Sequence, residues 1–150
     1  MEREWPTSLL MFVLYRATED RIFDAVEDAG FSGLTRAQGR LLAGLDPDGT
    51  RLLVLADRAR IAKQTAVSLV DRLEAAGIVE RTPDPSDGRA RLIKLTERGQ
   101  RAIPVARTEE QRIDADWAQV LGERRMLELR RSLEDLWAAM EPAGVRSGHV

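Results

Sequence analysis

Apolar residues recur at helical spacing at the start of the chain. Between residues 8 and 30 they are separated by three residues, four residues or sums of these, and Gly30 follows as a stop signal. The members of this stripe are Leu9, Phe12, Val13, Ile22, Phe23 and Val26. A second helix is predicted to begin at Thr35, because Gln38 stands three residues later and completes a capping box. Its inward-facing side chains are expected to be Leu41, Leu42 and Leu45.

Two shorter helical patterns, separated by about four residues, follow between residues 53 and 76. Their apolar positions are Leu55, Ala56 and Ala59 in the first, and Ala66, Leu69, Val70 and Leu73 in the second. The next residues favour two strands, from Ile78 to Thr82 and from Arg91 to Thr96, joined as a hairpin by the segment PDPSDGRA. We expect Asp87-Gly88 to form the turn of this hairpin, because glycine tolerates a positive φ.

The rest of the chain returns to a helical pattern. Thr96 is a predicted helix cap, and a break is expected near Leu121-Gly122. Beyond the break, apolar residues recur at intervals of 3, 4, 3 and 4, the spacing of a seam that packs against another helix. These residues are Met126, Leu129, Leu133, Leu136 and Met140. With Trp117 and Trp137, the first and last helices carry more apolar surface than a small domain can cover, so we predict that two chains pair through them.

These elements together predict a winged helix. A helix-turn-helix followed directly by a β-hairpin has this form, so the expected fold class is mainly α with a small β-hairpin wing. A chain of 150 residues suits a single domain, 1–150. In such a motif the second helix enters the major groove of DNA, which is wide enough to admit it.

The distribution of charge agrees with a middle segment that contacts DNA. The net charge is −2, but residues 57–107 carry 11 basic against 7 acidic residues, whereas residues 1–56 and 108–150 each carry 6 against 9. Phosphate contact needs local rather than global positive charge. Chance clustering of charges is the alternative interpretation.

The residue types present exclude several classes of function. The sequence has no cysteine and a single histidine, His149, which excludes disulfides, a cysteine nucleophile and zinc sites built from these ligands. It has no GxSxG, Gly-rich phosphate loop or HExxH motif, so we predict neither catalysis nor a cofactor or metal. No apolar run approaches the roughly 20 residues of a membrane span, and the first residues lack a secretion pattern. We therefore expect a cytoplasmic protein without membrane contact.

The second helix of the pair carries the side chains expected to read DNA. Its apolar positions define a buried face, and the residues left outside or at the edge of that face are Lys63, Gln64, Thr65, Val67, Ser68 and Arg72. Gln64 suits bidentate pairing with adenine, whereas Lys63 and Arg72 suit backbone phosphates. The same pattern also fits the solvated face of an ordinary amphipathic helix.

One long segment resembles the DNA-binding core of the MarR family of winged-helix regulators. It is LADRARIAKQTAVSLVDRLEAAGIVERTPDPSDGRARLIKLTERG, at residues 55–99, and its most specific pieces are LVDRLEAAGIVER and DPSDGRARLIKLT. Together with LTRAQGRLLAGL at 34–45, the resemblance covers roughly half of the chain.

The resemblance implies a homodimer on double-stranded DNA. Helices at about 6–30 and 100–141 would interlace, and two winged domains, each about residues 34–99, would bind half-sites roughly 10 bp apart in a pseudo-palindromic operator. It also implies that Arg89 enters the minor groove while Asp87 holds its guanidinium. A small aromatic or phenolic effector would lower the affinity by fixing a wrong spacing of the two recognition helices, and such regulators are more often repressors.

Several positions leave alternatives open. Arg91 is also a candidate DNA-binding residue, and it contacts DNA, helps to hold the wing or faces water. Arg60 stands in the helix-turn-helix where the family often has glycine, so either it adopts an unfavourable φ or the turn has another shape. Leu53 and Ala62 stand where a Thr or Ser cap is common, and each missing cap costs about 1 kcal/mol.

Two alternatives to a ligand-controlled regulator also remain. One is a winged-helix module that binds DNA architecturally, or binds a protein, without effector control; the other is a small enzyme, for which the sequence offers no constellation of catalytic residues. Tyr15, Arg16 and Trp117 either border an effector cleft or belong to a dimer core. No effector-binding residue is therefore assigned.

Overall fold

The computed structural model describes residues 4–140. Along this range the elements are α1 (Thr7–Asp28), α2 (Arg36–Leu42), β1 (Thr50–Arg51), α3 (Leu52–Arg58), α4 (Lys63–Ala75), β2 (Val79–Asp84), β3 (Asp87–Leu95), α5 (Glu97–Gln100), α6 (Ala102–Leu121) and α7 (Glu123–Met140). This is a mainly helical chain with a small antiparallel sheet at its middle, so the predicted fold class is confirmed. Within the described range, no helix combines the length and the apolar character that a membrane span needs.

The helix boundaries follow the local signals that predicted them. At the start of α2 the Thr35 hydroxyl oxygen accepts the Gln38 backbone N–H (3.2 Å), and the Gln38 side-chain oxygen accepts the Thr35 N–H (2.7 Å), so the capping box is confirmed. The Thr96 side chain caps α5 as expected. Gly30 and Gly122, with φ of 96° and 83°, follow α1 and α6 and end both helices.

The sheet contains one strand more than the predicted hairpin. Its order is β1-β3-β2, and β1 pairs antiparallel to β3 with Thr50 opposite Ile93 and Arg51 opposite Leu92. A strand of two residues is too short to produce an alternating pattern, which is why the sequence does not predict it. Its consequence is that the base of the wing is attached to the start of α3.

The predicted turn of the wing is wrong. The two strands end at Asp84 and begin again at Asp87, so Pro85 and Ser86 alone form the turn, and Gly88 lies inside β3 without a positive φ. Asp84 is the physical reason. Its Oδ1 accepts the backbone N–H (2.8 Å) and the hydroxyl (2.7 Å) of Ser86, an Asx-type arrangement that reverses the chain before the Asp-Gly pair is reached.

One apolar core joins the helix pair to the sheet. Its largest fully buried side chains come from α2, α3, α4, β2 and β3, namely Leu41, Leu55, Val70, Leu73, Val79 and Ile93. Ala66 of α4 is also fully buried, and Leu69 is half-buried against the same core. A Cβ atom at Gly99 would lie 2.2 Å from the Ile78 carbonyl oxygen, so only glycine allows α5 to approach the sheet this closely. Because these elements share one core, α4 and the wing keep a fixed relative orientation.

The two long end helices leave a large apolar surface exposed. This arm surface consists of Leu9, Leu10, Met11, Phe12, Val13, Leu14 and Tyr15 of α1, and Leu127, Leu133, Leu136, Trp137 and Met140 of α7. Phe12 is 58% exposed, whereas Val26 and Ile22, farther along α1, pack on the core. The apolar stripe of α1 is therefore divided between the core and an exposed surface. Exposed apolar surface of this extent marks an interaction surface.

The starts of the two helix-turn-helix helices differ in part from expectation. Ala62 precedes α4 and makes no capping hydrogen bond, as predicted. The residue that precedes α3 is Arg51 rather than Leu53, because β1 runs directly into the helix. It also makes no capping hydrogen bond.

Arg60, in the turn between α3 and α4, has a φ of 51°, so the first of its two alternatives holds. A left-handed conformation costs a non-glycine residue roughly 1–2 kcal/mol. We expect Arg60→Gly to raise the free energy of unfolding by about 0.5–1 kcal/mol, because the flexibility of glycine in the unfolded chain offsets part of the relief. Urea denaturation measures the change. Arg60→Ala removes the same charge but keeps Cβ and should gain nothing; equal gains would assign the effect to charge.

Candidate nucleic-acid interface

Helix α4 presents the predicted reading residues on its outer face. Lys63, Gln64, Thr65, Ser68 and Arg72 are exposed, and Val67 is half-buried at the edge. On the opposite face Ala66, Val70 and Leu73 are 0% exposed. The helix is thus anchored along one side, and its polar side chains extend from a rigid support.

Four predicted DNA-binding cations are exposed and have no acidic partner. Within the described part of the chain, none of Lys63, Arg72, Arg89 and Arg91 forms an ion pair. Other arginines of the same domain are paired, for example Arg58 with Asp46 at 3.0 Å. The unpaired cations come from α4 and from β3, so the helix and the wing both present positive charge that is free to contact a polyanion.

Arg81 connects the base of the wing to α4. Its guanidinium donates to Asp71 at 2.6 Å and also bonds the Glu74 carboxylate, both on α4. Its backbone N–H donates to Glu74 as well, at 3.3 Å. The two acids next to the reading face are therefore neutralised by an internal partner, which reduces their repulsion of phosphate.

At the tip of the wing, the contact between Asp87 and Arg89 differs from the expected one. Asp87 Oδ1 accepts the backbone N–H of Arg89 at 3.1 Å, and the Arg89 guanidinium is not held by the carboxylate. The reason is that Asp87 begins β3, where its carboxylate bonds the backbone two residues later in the manner of an Asx turn. Arg91 lies opposite Pro83 and is exposed, and its side chain forms no hydrogen bond or ion pair with another described residue, so it does not hold the wing base and remains open to solvent or DNA.

An ion pair at the base of the wing tip was not predicted from the sequence. Arg51 Nε and Nη2 donate to Asp84 Oδ2 at 2.7 and 2.6 Å, and Asp84 is buried. The sequence Asp84-Pro85-Ser86 could have predicted the hydrogen bonds from Ser86 to Asp84. No sequence pattern connects residues 51 and 84. Hydrogen bonds from the Ser86 hydroxyl and backbone, followed by the one from Arg51, lower the pKa of Asp84 to about 2.

This shift predicts a pH dependence of stability. Because the pKa of Asp84 in the folded protein lies below its ordinary value of 3.8, the ionised group stabilises the fold above about pH 4, and this contribution is lost as the pH falls toward 2. We expect the difference in unfolding free energy between wild type and Asp84→Asn to be constant near neutral pH and to shrink below about pH 4. Urea denaturation across this range measures it. Glu80→Gln, at an exposed position on the same strand, is the control; a difference that persists unchanged at pH 2 would contradict the assignment.

Two ion-pair clusters attach α1 to its neighbours. Arg40 of α2 donates to both oxygens of the buried Glu19, at 2.7 and 2.9 Å, and this holds the pKa of that carboxyl below its usual value. On another side of α1, Arg21 pairs with Glu109 and Asp116 of α6, each at 2.7 Å. Helix α1 is thereby connected both to the winged domain and to α6.

A cleft of about 680 Å³ lies between α1 and α6. It is lined by Arg21, Asp24, Ala25, Asp28, Pro104, Val105, Thr108, Glu109 and Arg112. Tyr15, Arg16 and Trp117 do not line it; Tyr15 and Arg16 instead lie beside Glu19, at 3.4 and 3.6 Å. The three residues considered from the sequence as neighbours of an effector cleft are therefore not brought together there.

Comparison with known proteins agrees with this architecture. Residues 32–90 match the model of the MarR family. The chain is similar to a crystal structure of MarR, with 24% identity, a TM-score of 0.74 and 93% of each chain covered. It is also similar to the transcriptional regulator Tm0710 from Thermotoga maritima (25% identity, TM-score 0.61, 90% of this chain and 94% of that chain). A third similar structure is S. aureus MepR bound to ethidium bromide (18% identity, TM-score 0.60, 93% and 100%). No curated protein sequence matches the chain.

The family match covers the helix-turn-helix and the wing as far as residue 90, a range that contains three of the four unpaired cations, Lys63, Arg72 and Arg89. The two solved regulators share the fold over nine tenths or more of the chain. The middle of the chain therefore matches the MarR family, and the chain as a whole shares the winged-helix fold of the solved regulators.

Proposed function

We propose that the protein is a sequence-specific DNA-binding transcriptional regulator that acts as a homodimer in the cytoplasm. The observation that carries the proposal is the set of unpaired, exposed cations on α4 and β3, namely Lys63, Arg72, Arg89 and Arg91. If α4 were only an amphipathic helix with a solvated face, there would be no reason for β3 to present unpaired cations beside it.

The proposed contacts divide into reading and positioning. Gln64, Thr65, Val67 and Ser68 would meet base edges in the major groove, because amide, hydroxyl and methyl groups can distinguish bases there. Lys63 and Arg72 would contact phosphates and set the register of α4, and Arg91, which faces solvent, would do the same from the wing. Arg89 would enter the minor groove, with Asp87 fixing the backbone at that position.

Dimerisation is supported by the arm surface. Burial of this surface against a second copy would remove a large apolar area from water, which is the main driving force of obligate dimers. A two-fold axis through the arms would place two winged domains on successive half-sites, roughly 10 bp apart. The protein would then read a pseudo-palindrome.

We further propose that the regulator is a repressor whose affinity for DNA a small aromatic effector lowers. The structure of MepR was determined with ethidium bromide, an aromatic compound. The cleft between α1 and α6 has room for a ligand of that size. A ligand there would act on the connection between the arms and the winged domain, and it would change the spacing of the two copies of α4.

The test is a footprint of the protein on the DNA that flanks its own gene, repeated with a panel of aromatic and phenolic compounds. A protected pseudo-palindrome bound on the order of a thousandfold more tightly than random DNA is expected. An architectural winged-helix module, the alternative, would protect DNA without such preference. If no DNA site is protected, the regulator proposal is wrong. If no compound relieves the protection, the proposed control by an effector is wrong.

Arg89→Ala is expected to weaken binding to all DNA sequences alike. If one phosphate-like contact is lost, the slope of log affinity against log salt should become shallower by about 0.9. Gln64→Ala, at an exposed position of α4, is the matched comparison, because it should change which sequences are preferred and leave the slope unchanged. Fluorescence anisotropy titrations at several salt concentrations measure both. An unaltered affinity and slope for Arg89→Ala would mean that the wing does not contact DNA.

A further inference from the structure

Arg51 occupies a position where its residue type is unfavourable for the local helix. It precedes α3, where a side chain that accepts a hydrogen bond is preferred, but a guanidinium has donors only. Consistent with this, it makes no capping hydrogen bond. Its side chain extends to the wing instead and donates twice to Asp84.

The tip of the wing needs support of this kind. Strand β1 pairs with β3 at Leu92 and Ile93, so the part of the hairpin beyond Leu92 has two strands and no third neighbour. A two-stranded hairpin is marginally stable by itself in water. Arg51 stands at the last paired position, opposite Leu92, and its side chain continues the support beyond the end of β1.

Hydrogen bonds and one longer ion pair connect Arg51 to the backbone of the proposed minor-groove residue. Asp84 uses Oδ2 for Arg51 and Oδ1 for Ser86, so both of its oxygens are engaged. Arg51 Nη2 is also 3.9 Å from Asp87 Oδ2, and Asp87 Oδ1 accepts the Arg89 N–H at 3.1 Å. The start of α3 is thus connected to the backbone at Arg89.

We propose that Arg51, acting through Asp84, is a positioning residue that holds the wing tip so that Arg89 reaches the minor groove. The inference rests on the proposed DNA-binding function and adds to it a pair that is separate from the reading residues. A side chain must be held within a fraction of an ångström of its productive geometry to contribute fully, and the pair supplies that constraint at the tip.

For Asp84→Asn, a purely electrostatic role and a positioning role predict opposite changes in DNA affinity. Asp84→Asn removes a negative charge from the wing, so electrostatic repulsion of DNA decreases and binding should strengthen if the pair has no positioning role. If the pair positions Arg89, binding should weaken on the order of tenfold, the change expected when one well-placed charged contact is lost. Glu80→Gln removes the same charge from an exposed site on β2 and should not weaken binding.

The experiment measures operator affinity for Asp84→Asn, Arg51→Ala and Glu80→Gln, each in the wild-type and in the Arg89→Ala background. We expect the first two to weaken binding in the wild-type background, and the weakening by Asp84→Asn to disappear once Arg89 is replaced, because the pair acts through it. Weakening by Asp84→Asn that persists in the Arg89→Ala background, or stronger binding by Asp84→Asn in the wild-type background, would overturn the proposal.

Hydrogen exchange of the Ser86 and Arg89 amides, measured without DNA, separates this proposal from the proposed function. Both amides should exchange faster in Arg51→Ala than in wild type, while amides of α4 keep their protection. If the exchange rates of the Ser86 and Arg89 amides are unchanged in Arg51→Ala, Arg51 does not hold the wing tip, even if DNA binding is weakened. A wild-type protein that binds no specific DNA would refute the regulator function and the role of Arg51 in it, whatever the exchange shows.

Discussion

Leu10→Asp combined with Leu14→Asp is expected to convert the proposed dimer into folded monomers and to weaken operator binding by a factor of about 10²–10⁴. The two leucines are each 48% exposed and lie one helical turn apart on the arm surface, away from the core. Each leucine buried at a dimer interface contributes roughly 1.5–3 kcal/mol, and a two-fold axis counts every substitution twice. The added carboxylates would also be desolvated without partners, so the dimer should not form at micromolar concentration.

Sedimentation and operator titration test this expectation together. Gln100→Asp combined with Gln111→Asp adds the same two charges at exposed positions outside the arm surface, and this variant should remain dimeric. Binding by the monomer should fall because the second half-site no longer benefits from the link to the first. A double aspartate variant of α1 that stays dimeric, or a wild-type protein that is monomeric, would contradict the role given to the arm surface.

Patterns within one element predicted much of the fold. The capping box at Thr35 and the break at Gly122 are local signals, and each depends on residues within one helical turn. The buried face of α4 also follows from spacing alone, because Ala66, Val70 and Leu73 recur at helical intervals. Such features need no knowledge of what the helix packs against.

Features that depend on distant partners were not predicted. The turn at Pro85 and Ser86 displaced the expected Asp-Gly turn, because a single carboxylate satisfies two donors there. Arg51 and Asp84 are 33 positions apart, and the two-residue strand that brings them together has no pattern of its own. The reading residues of α4 are exposed as expected, but exposure alone does not assign a role, so their contacts with DNA stay predictions.

Leu73→Ala is expected to lower the free energy of unfolding by about 2–5 kcal/mol. The side chain is 0% exposed, and it sits where α4 meets the shared core of the helix pair and the sheet. Truncation removes apolar contacts and leaves a cavity that a core formed by several helices and strands can close only partly. A domain of this size is stable by roughly 5–15 kcal/mol, so a large fraction of the stability is at risk. Urea denaturation at neutral pH measures the loss.

Leu53→Ala is the matched control for this change. It makes the same truncation on α3, where the side chain is 60% exposed, and should alter stability by no more than about 0.5 kcal/mol. Since Leu73 lies on the face of α4 opposite the reading residues, the fraction of Leu73→Ala that remains folded at low temperature should bind the operator with nearly wild-type affinity. A stable variant with lost binding would place Leu73 at the DNA rather than in the core.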